Sequence, residues 1–245
     1  MAKYSLHGGH NNIVQGANYG GRKEHIMDRL VKDAVAAKLR ALGHTVYDDT
    51  DETGSTQAQN LSNIVRNCNS HNVDLVISFH LNAYDGQANG VEVCYYDQKD
   101  LAAKVSAQLS KDIGWRDRGA KQRTDLAVLK GTKAPAILIE LGFIDNESDM
   151  TKWNVDKIAN SIVYALTGQT GMTTSLFKQN IIQSGAFSPY EVPDVTGALT
   201  SLKMTAKFIL QSDGLTYFVS DPTSDAQLKA MKEYLDHKGW WYEVK

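Results

Sequence analysis

Four side chains in this 245-residue sequence are of types that do hydrolytic or metal chemistry, and each falls where an α/β fold exposes strand ends or helix starts: His10, Glu24, His80 and Glu140. His80 follows the apolar run Leu75-Val76-Ile77-Ser78-Phe79, which reads as a strand buried on both faces. The carboxyl end of such a strand is where open α/β sheets gather ligands and catalytic groups. Glu140 comes near the end of a second buried run, Ala136-Ile137-Leu138-Ile139, and an ionised glutamate among aliphatic neighbours is costly unless it is paired, open to a cleft or used. His10 ends the stretch His7-Gly8-Gly9-His10, where two glycines give a loop that can approach a bound group closely. Two histidines and one carboxylate leave a fourth tetrahedral position for water, the usual ligand set of a catalytic zinc ion. No His-Glu-x-x-His pair on one helix face supports a metal by spacing. The plainer readings therefore stay open at this point: a buried histidine bonded to backbone, a strand-end glutamate, and a Glu24 placed to suit a helix dipole.

The elements that must position these groups alternate strand with helix. Residues 3–6 read as a first strand, followed by the His7–His10 loop and polar, glycine-containing sequence to Gly21. Met27, Leu30, Val31, Ala34, Val35, Leu39 and Leu42 recur at three- and four-residue steps and predict an amphipathic helix with Glu24 in its first turn and Gly43 at its end. Residues 45–47 read as a second strand, and Leu61, Ile64, Val65 and Cys68 as one face of a helix leading to the His80 strand. Residues 91–96 suit a strand nearer the sheet edge, and Leu101, Val105 and Leu109 mark another helix. Residues 118–121 read as a basic loop and 126–129 as a short strand, ahead of the Glu140 strand and a last helix through Val155, Ile158, Ile162 and Leu166. The fold class is α/β: an open twisted, mostly parallel sheet flanked by helices, followed by a small α+β C-terminal domain.

Small polar residues and glycines at 167–174 mark a linker. Domains are placed at 1–168 and 175–245. The second has strand-like pieces around 208–210 and 216–219, a helix from Asp225 through Leu235, and a closing Gly239-Trp240-Trp241-Tyr242, whose aromatics either stack on sugar rings or fill a small core. A formal net charge of −2 with 22% charged residues excludes nucleic-acid binding by bulk charge. Cys68 and Cys94 are spaced for neither a metal knuckle nor a redox pair and read as buried apolar residues. With no signal-peptide-like or membrane-length apolar stretch, the expectation is a protein made in the cytosol that reaches its target after release. Oligomeric state is not legible.

The segment from about residue 3 to 166 resembles the zinc-dependent N-acetylmuramoyl-L-alanine amidases of bacterial cell-wall hydrolysis. Four motifs carry the likeness in order: Gly9-His10, Gly21-Arg22-Lys23-Glu24, Ser78-Phe79-His80-Leu81-Asn82-Ala83, and Glu140-Leu141-Gly142-Phe143-Ile144-Asp145-Asn146. The resemblance implies His10, Glu24 and His80 as zinc ligands, Glu140 as the catalytic glutamate and peptidoglycan as substrate. This chain has His7-Gly8 where the family usually has Asp-Pro, which makes His7 a competitor for the metal. Residues 176–245 resemble the small wall-binding modules of phage and bacterial amidases. Together the halves look like an endolysin or autolysin. Two other functions share these features: a zinc peptidase cutting the peptide stem, and a wall-binding protein without activity.

Overall fold

The run that ends at His80 forms the strand Leu75–Asn82 (β5) inside a six-stranded sheet of order β4-β1-β5-β8-β6-β7. The computed structural model describes residues 1–169 and 180–244. The other strands of this sheet are Lys3–Gly8 (β1), Thr45–Asp48 (β4), Val91–Tyr95 (β6), Asp117–Gln122 (β7) and Ala136–Phe143 (β8), while Asn18–Tyr19 (β2) and Arg22–Lys23 (β3) make a separate small hairpin. β4, β1, β5 and β8 run parallel, whereas β6 is antiparallel to β8 and parallel to β7. The mostly parallel α/β sheet expected from the sequence is therefore observed.

Side-chain alternation divides the core between the two sheet faces. Leu6, Ile77, Phe79, Val93, Ile137 and Ile139 point to one face, covered by Glu24–Ala41 (α1), Lys99–Ile113 (α3) and Val155–Thr167 (α6). Val76, Cys94 and Leu138 point to the other, covered by Gln57–Asn69 (α2) and Ala127–Gly131 (α4). α1 folds as its periodicity requires, with Val31, Val35 and Leu39 fully buried at four-residue steps. Both cysteines are free and buried, as expected.

Three local expectations are corrected. The first strand runs on through His7 to Gly8, so those two residues belong to the sheet and only Gly9 and His10 to the loop. The basic stretch 118–121 is part of β7, because its alternation is hidden by a bulge where Val91 and Glu92 face Asp117 and Gly119. The short apolar run at 126–129 opens α4 rather than a strand: four residues carry too little periodicity to tell the two apart. A four-residue helix, Glu147–Met150 (α5), follows β8.

The chain divides into two compact units, Met1–Met172 and Thr173–Lys245. The linker expected at 167–174 lies, from residue 170 on, outside the described residues. The second unit holds a four-stranded antiparallel sheet, order β10-β11-β9-β12, built from Ile182–Ser184 (β9), Ala206–Leu210 (β10), Thr216–Ser220 (β11) and Tyr242–Val244 (β12). Helices Val192–Ser201 (α7) and Asp225–His237 (α8) supply Val195, Leu199, Leu228, Met231 and Leu235 to its own core with Phe187 and Phe218. The closing aromatics divide, one joining the core and one facing outward. Trp240 stacks on Phe187 at 4.7 Å, whereas Trp241 is 64% exposed.

Candidate active site

Sheet register brings two of the candidate positions and a further glutamate into one row. His80 on β5 pairs with Glu140 on β8, and Glu140 pairs with Glu92 on β6. These positions continue the alternation of Val76, Leu138 and Cys94, so their side chains stand on the same face, beyond the ends of the apolar core.

His10 and Glu24 arrive from outside the sheet. Gly9 N donates to Phe79 O at 2.8 Å, which pins the loop beside β5. His10 itself adopts a left-handed φ of 58°, an unfavourable conformation for a side chain with a Cβ. That turn is held by Arg29 of α1, whose Nη1 and Nη2 donate to the carbonyls of Gly9 and His10, each at 2.9 Å. Asn11 locks the other side, its Oδ1 accepting from Val14 N at 2.7 Å and its Nδ2 donating to Gly54 O at 2.8 Å. Gly54 is in turn fixed by Asp51, which also accepts from Asn60 Nδ2.

Glu24 is the first residue of α1 and is buried. Its Oε2 accepts from Ala17 N at 2.7 Å and its Oε1 from Leu81 N at 3.1 Å and His80 Nδ1 at 2.9 Å. His10 Nε2 lies 3.5 Å from Oε2, and the two imidazoles meet edge to face at 5.1 Å. The ligand atoms of His10, Glu24 and His80 all lie within 4.8 Å of one another. Two glycines keep the cluster open. A Cβ at Gly9 would come 2.1 Å from His80 Cε1, and one at Gly16 would come 2.4 Å from Glu24 Oε2 and 2.5 Å from His10 Cδ2.

Electrostatics set the protonation of the row. Burial favours a neutral His80, but the hydrogen bond and charge of Glu24 prevail and lift its pKa to about 9. Burial pushes the Glu140 carboxyl up to about 7, with His80 opposing and Glu24 and Glu92 adding to the rise. Glu140 Oε2 is buried without a hydrogen-bond partner among the described residues. His10 is held low by burial. Glu24 is kept low despite burial by its hydrogen bond from His80.

The structure thus brings together all four residues expected from the sequence. His7 is not in the cluster: it is wholly buried on β1 beside Ser78, and burial lowers its pKa to about 3. Sequence reasoning did not find Arg29, Gly16, Glu92 or Arg118. Glu92 stands in a strand whose alternation was legible, but nothing local shows that its neighbour across the sheet is Glu140. Arg118 Nε donates to Glu92 Oε2 at 2.7 Å. Asn82 Oδ1 accepts from Ala83 N at 3.0 Å, and its Nδ2 reaches Glu92 Oε1 at 3.5 Å.

Comparison with known proteins places both parts of the chain. The family model described as N-acetylmuramoyl-L-alanine amidase matches residues 6–168, and that of the PlyG cell wall binding domain matches 201–244. N-acetylmuramoyl-L-alanine amidase LytC of Bacillus subtilis is 32% identical over 152 residues, which cover 59% of this chain and 30% of LytC. The endolysin of Bacillus phage SPP1 is 29% identical over 177 residues, covering 64% of this chain and 60% of that one. The chain thus spans less than two thirds of either relative. In structure, the catalytic domain of the CD27L endolysin targeting Clostridia difficile superposes with a TM-score of 0.63 at 29% identity, over 69% of this chain and 99% of that domain. The chain belongs to the N-acetylmuramoyl-L-alanine amidase family.

Proposed function

We propose that His10, Glu24 and His80 hold a zinc ion and that Glu140 moves the proton in cleavage of the amide between N-acetylmuramic acid and L-alanine. The observation that carries this reading is the convergence of three ligating side chains within 4.8 Å, with Glu140 in register beside one of them. The residues fit a metal. Around a tetrahedral zinc with bonds of about 2.0–2.1 Å, ligand atoms stand roughly 3.4 Å apart; His80 Nδ1 is 2.9 Å from Glu24 Oε1 and His10 Nε2 is 3.5 Å from Glu24 Oε2. Two imidazole nitrogens and a carboxylate oxygen are a donor set zinc favours. Gly9 and Gly16 keep clear the space that a Cβ would fill.

Bound there, zinc supplies the Lewis acidity that water and an amide carbonyl lack on their own. The chain's residues supply the rest. Glu140, with a pKa raised to about 7 by burial, exchanges a proton near neutral pH. It takes a proton from the attacking water and passes it to the departing alanine nitrogen, so that the amine leaves neutral. Its unpartnered Oε2 is free to do so. Glu24 fixes His80 through Nδ1, and Arg29 fixes the carbonyls flanking His10, so the ligands are held before any metal binds.

The second unit is proposed to hold the enzyme on the wall, with peptidoglycan or a polymer attached to it as partner; its match to a cell wall binding domain supports this. No helix among the described residues is long and apolar enough to cross a membrane, and the expected site of action is the wall. Product analysis tests the reading. Purified walls digested by the chain should gain N-terminal alanine and lose peptide from the glycan, and appearance of any other new N-terminus would make it a stem peptidase instead.

A further inference from the structure

Beyond Glu140, away from the ligand cluster, Glu92 of the same row holds an arginine that the proposed reaction does not use. Arg118 sits in the bulge of β7 opposite Val91 and Glu92. Its Nε edge is fixed on Glu92 at 2.7 Å, and its guanidinium lies over the Phe143 ring, 5.0 Å from the centroid, a stacking that orients the plane. Glu92 is the register partner of Glu140. The side chain of Arg118 is 30% exposed, and its two Nη groups have no acceptor among the described residues. A guanidinium held by one edge and one face, with its outer edge open, is preorganised for a carboxylate.

We infer that Arg118 binds a carboxylate on the peptide arm of the substrate, one residue beyond the alanine that Glu140 releases. The inference rests on the assignment of Glu140 as proton donor to the leaving nitrogen. With the ligand cluster at β1, β5 and the start of α1, and Glu140 on β8, the leaving amine lies over β8. The peptide arm then continues over β6. Adjacent strands are about 4.8 Å apart and a peptide residue spans at most about 3.5 Å, so an acidic group on the second residue falls within reach of an arginine anchored on Glu92. Glu92 lowers the local positive charge and holds the fork in place.

The test compares hydrolysis of two synthetic ligands by the full chain loaded with zinc: N-acetylmuramoyl-L-alanyl-D-glutamate with its γ-carboxyl blocked as an amide and its α-carboxylate free, and the same compound with both carboxyls as amides. The readout is the ratio of the two kcat/KM values, which cancels any change common to both. The parent should prefer the carboxylate by about tenfold, the scale of one charge-assisted contact. Arg118→Gln should bring the ratio to near one, and Arg118→Lys to a value between. Should Arg118→Gln fail to fold, Arg118→Lys decides: a ratio below the parent's supports the assignment, and an equal or higher one overturns it. A parent ratio of one, or a preference kept in Arg118→Gln, overturns it and leaves the amidase reading standing. A parent that releases the alanyl-glutamate peptide from neither ligand removes the amidase reading and this inference together.

Discussion

Glu140 is a carboxyl in opposing fields, with burial and two neighbouring carboxylates favouring its neutral form and His80 favouring its charge. Its folded pKa of about 7 lies above the ordinary 4.5, so between those values the folded state binds more protons than the unfolded one. The cost of ionising it in place is absent below pH 4.5 and complete above 7, about 3 kcal/mol at most. Glu140→Gln should therefore raise the thermal midpoint at pH 8, and the gain should vanish as the pH falls toward 4.5. The same variant should lower turnover by about a hundred- to ten-thousand-fold, and its pH-rate profile should lose the acidic limb. Turnover within a few-fold of the parent would mean that this glutamate is only a tolerated strand-end charge. For His80 the sign is reversed. Its folded pKa is raised to about 9 by Glu24, so the stability that this pair contributes to the metal-free chain is fully present below pH 6.5 and is lost as the pH rises through 9. A metal must displace that proton, and apparent zinc affinity should fall about tenfold for each pH unit below 9, measured by competition against a chelator. An affinity independent of pH would contradict the pairing.

At the scale of elements, two close approaches decide whether the ligands can meet. Gly9→Ala would drive a methyl into the His80 ring, and Gly16→Ala would drive one between Glu24 and His10 while also straining a φ of 70°. Each should weaken zinc binding by at least about tenfold with the far-UV spectrum retained. Gly114→Ala is the contrast: it strains the left-handed end of α3 in open space, so it should cost about 1 kcal/mol of stability and leave zinc untouched. Equal zinc loss in all three would point to general destabilisation. These residues also show what the sequence could and could not carry. β5 and β8 were legible because buried parallel strands are nearly continuous apolar runs, and α1 because its buried face repeats at 3.6. The row His80, Glu140 and Glu92 was not, since register between distant strands leaves no local trace. His7 read as loop because two following glycines mask the end of β1. Arg118 read as loop because a bulge breaks its alternation. Gly16 looked like one more flexible residue until its distances to His10 and Glu24 were known.

At the scale of the whole molecule, each unit has its own buried core, and the two are proposed to fold and act separately. A chain of residues 1–168 should keep its own cooperative unfolding transition and hydrolyse soluble muropeptides, yet lose retention on sedimented walls. Residues 175–245 should sediment with walls without cutting them. Retention unchanged by the truncation would take the binding role from the second unit. The central claim, however, belongs to the first: three side chains from a loop, a helix start and a strand end form one metal site. It is tested most directly by the zinc content of the full chain and of its His80→Ala variant, purified in parallel at pH 8 and measured by atomic emission. One equivalent in the parent and a near-complete loss in the variant is the predicted result. A full equivalent retained by His80→Ala would contradict it.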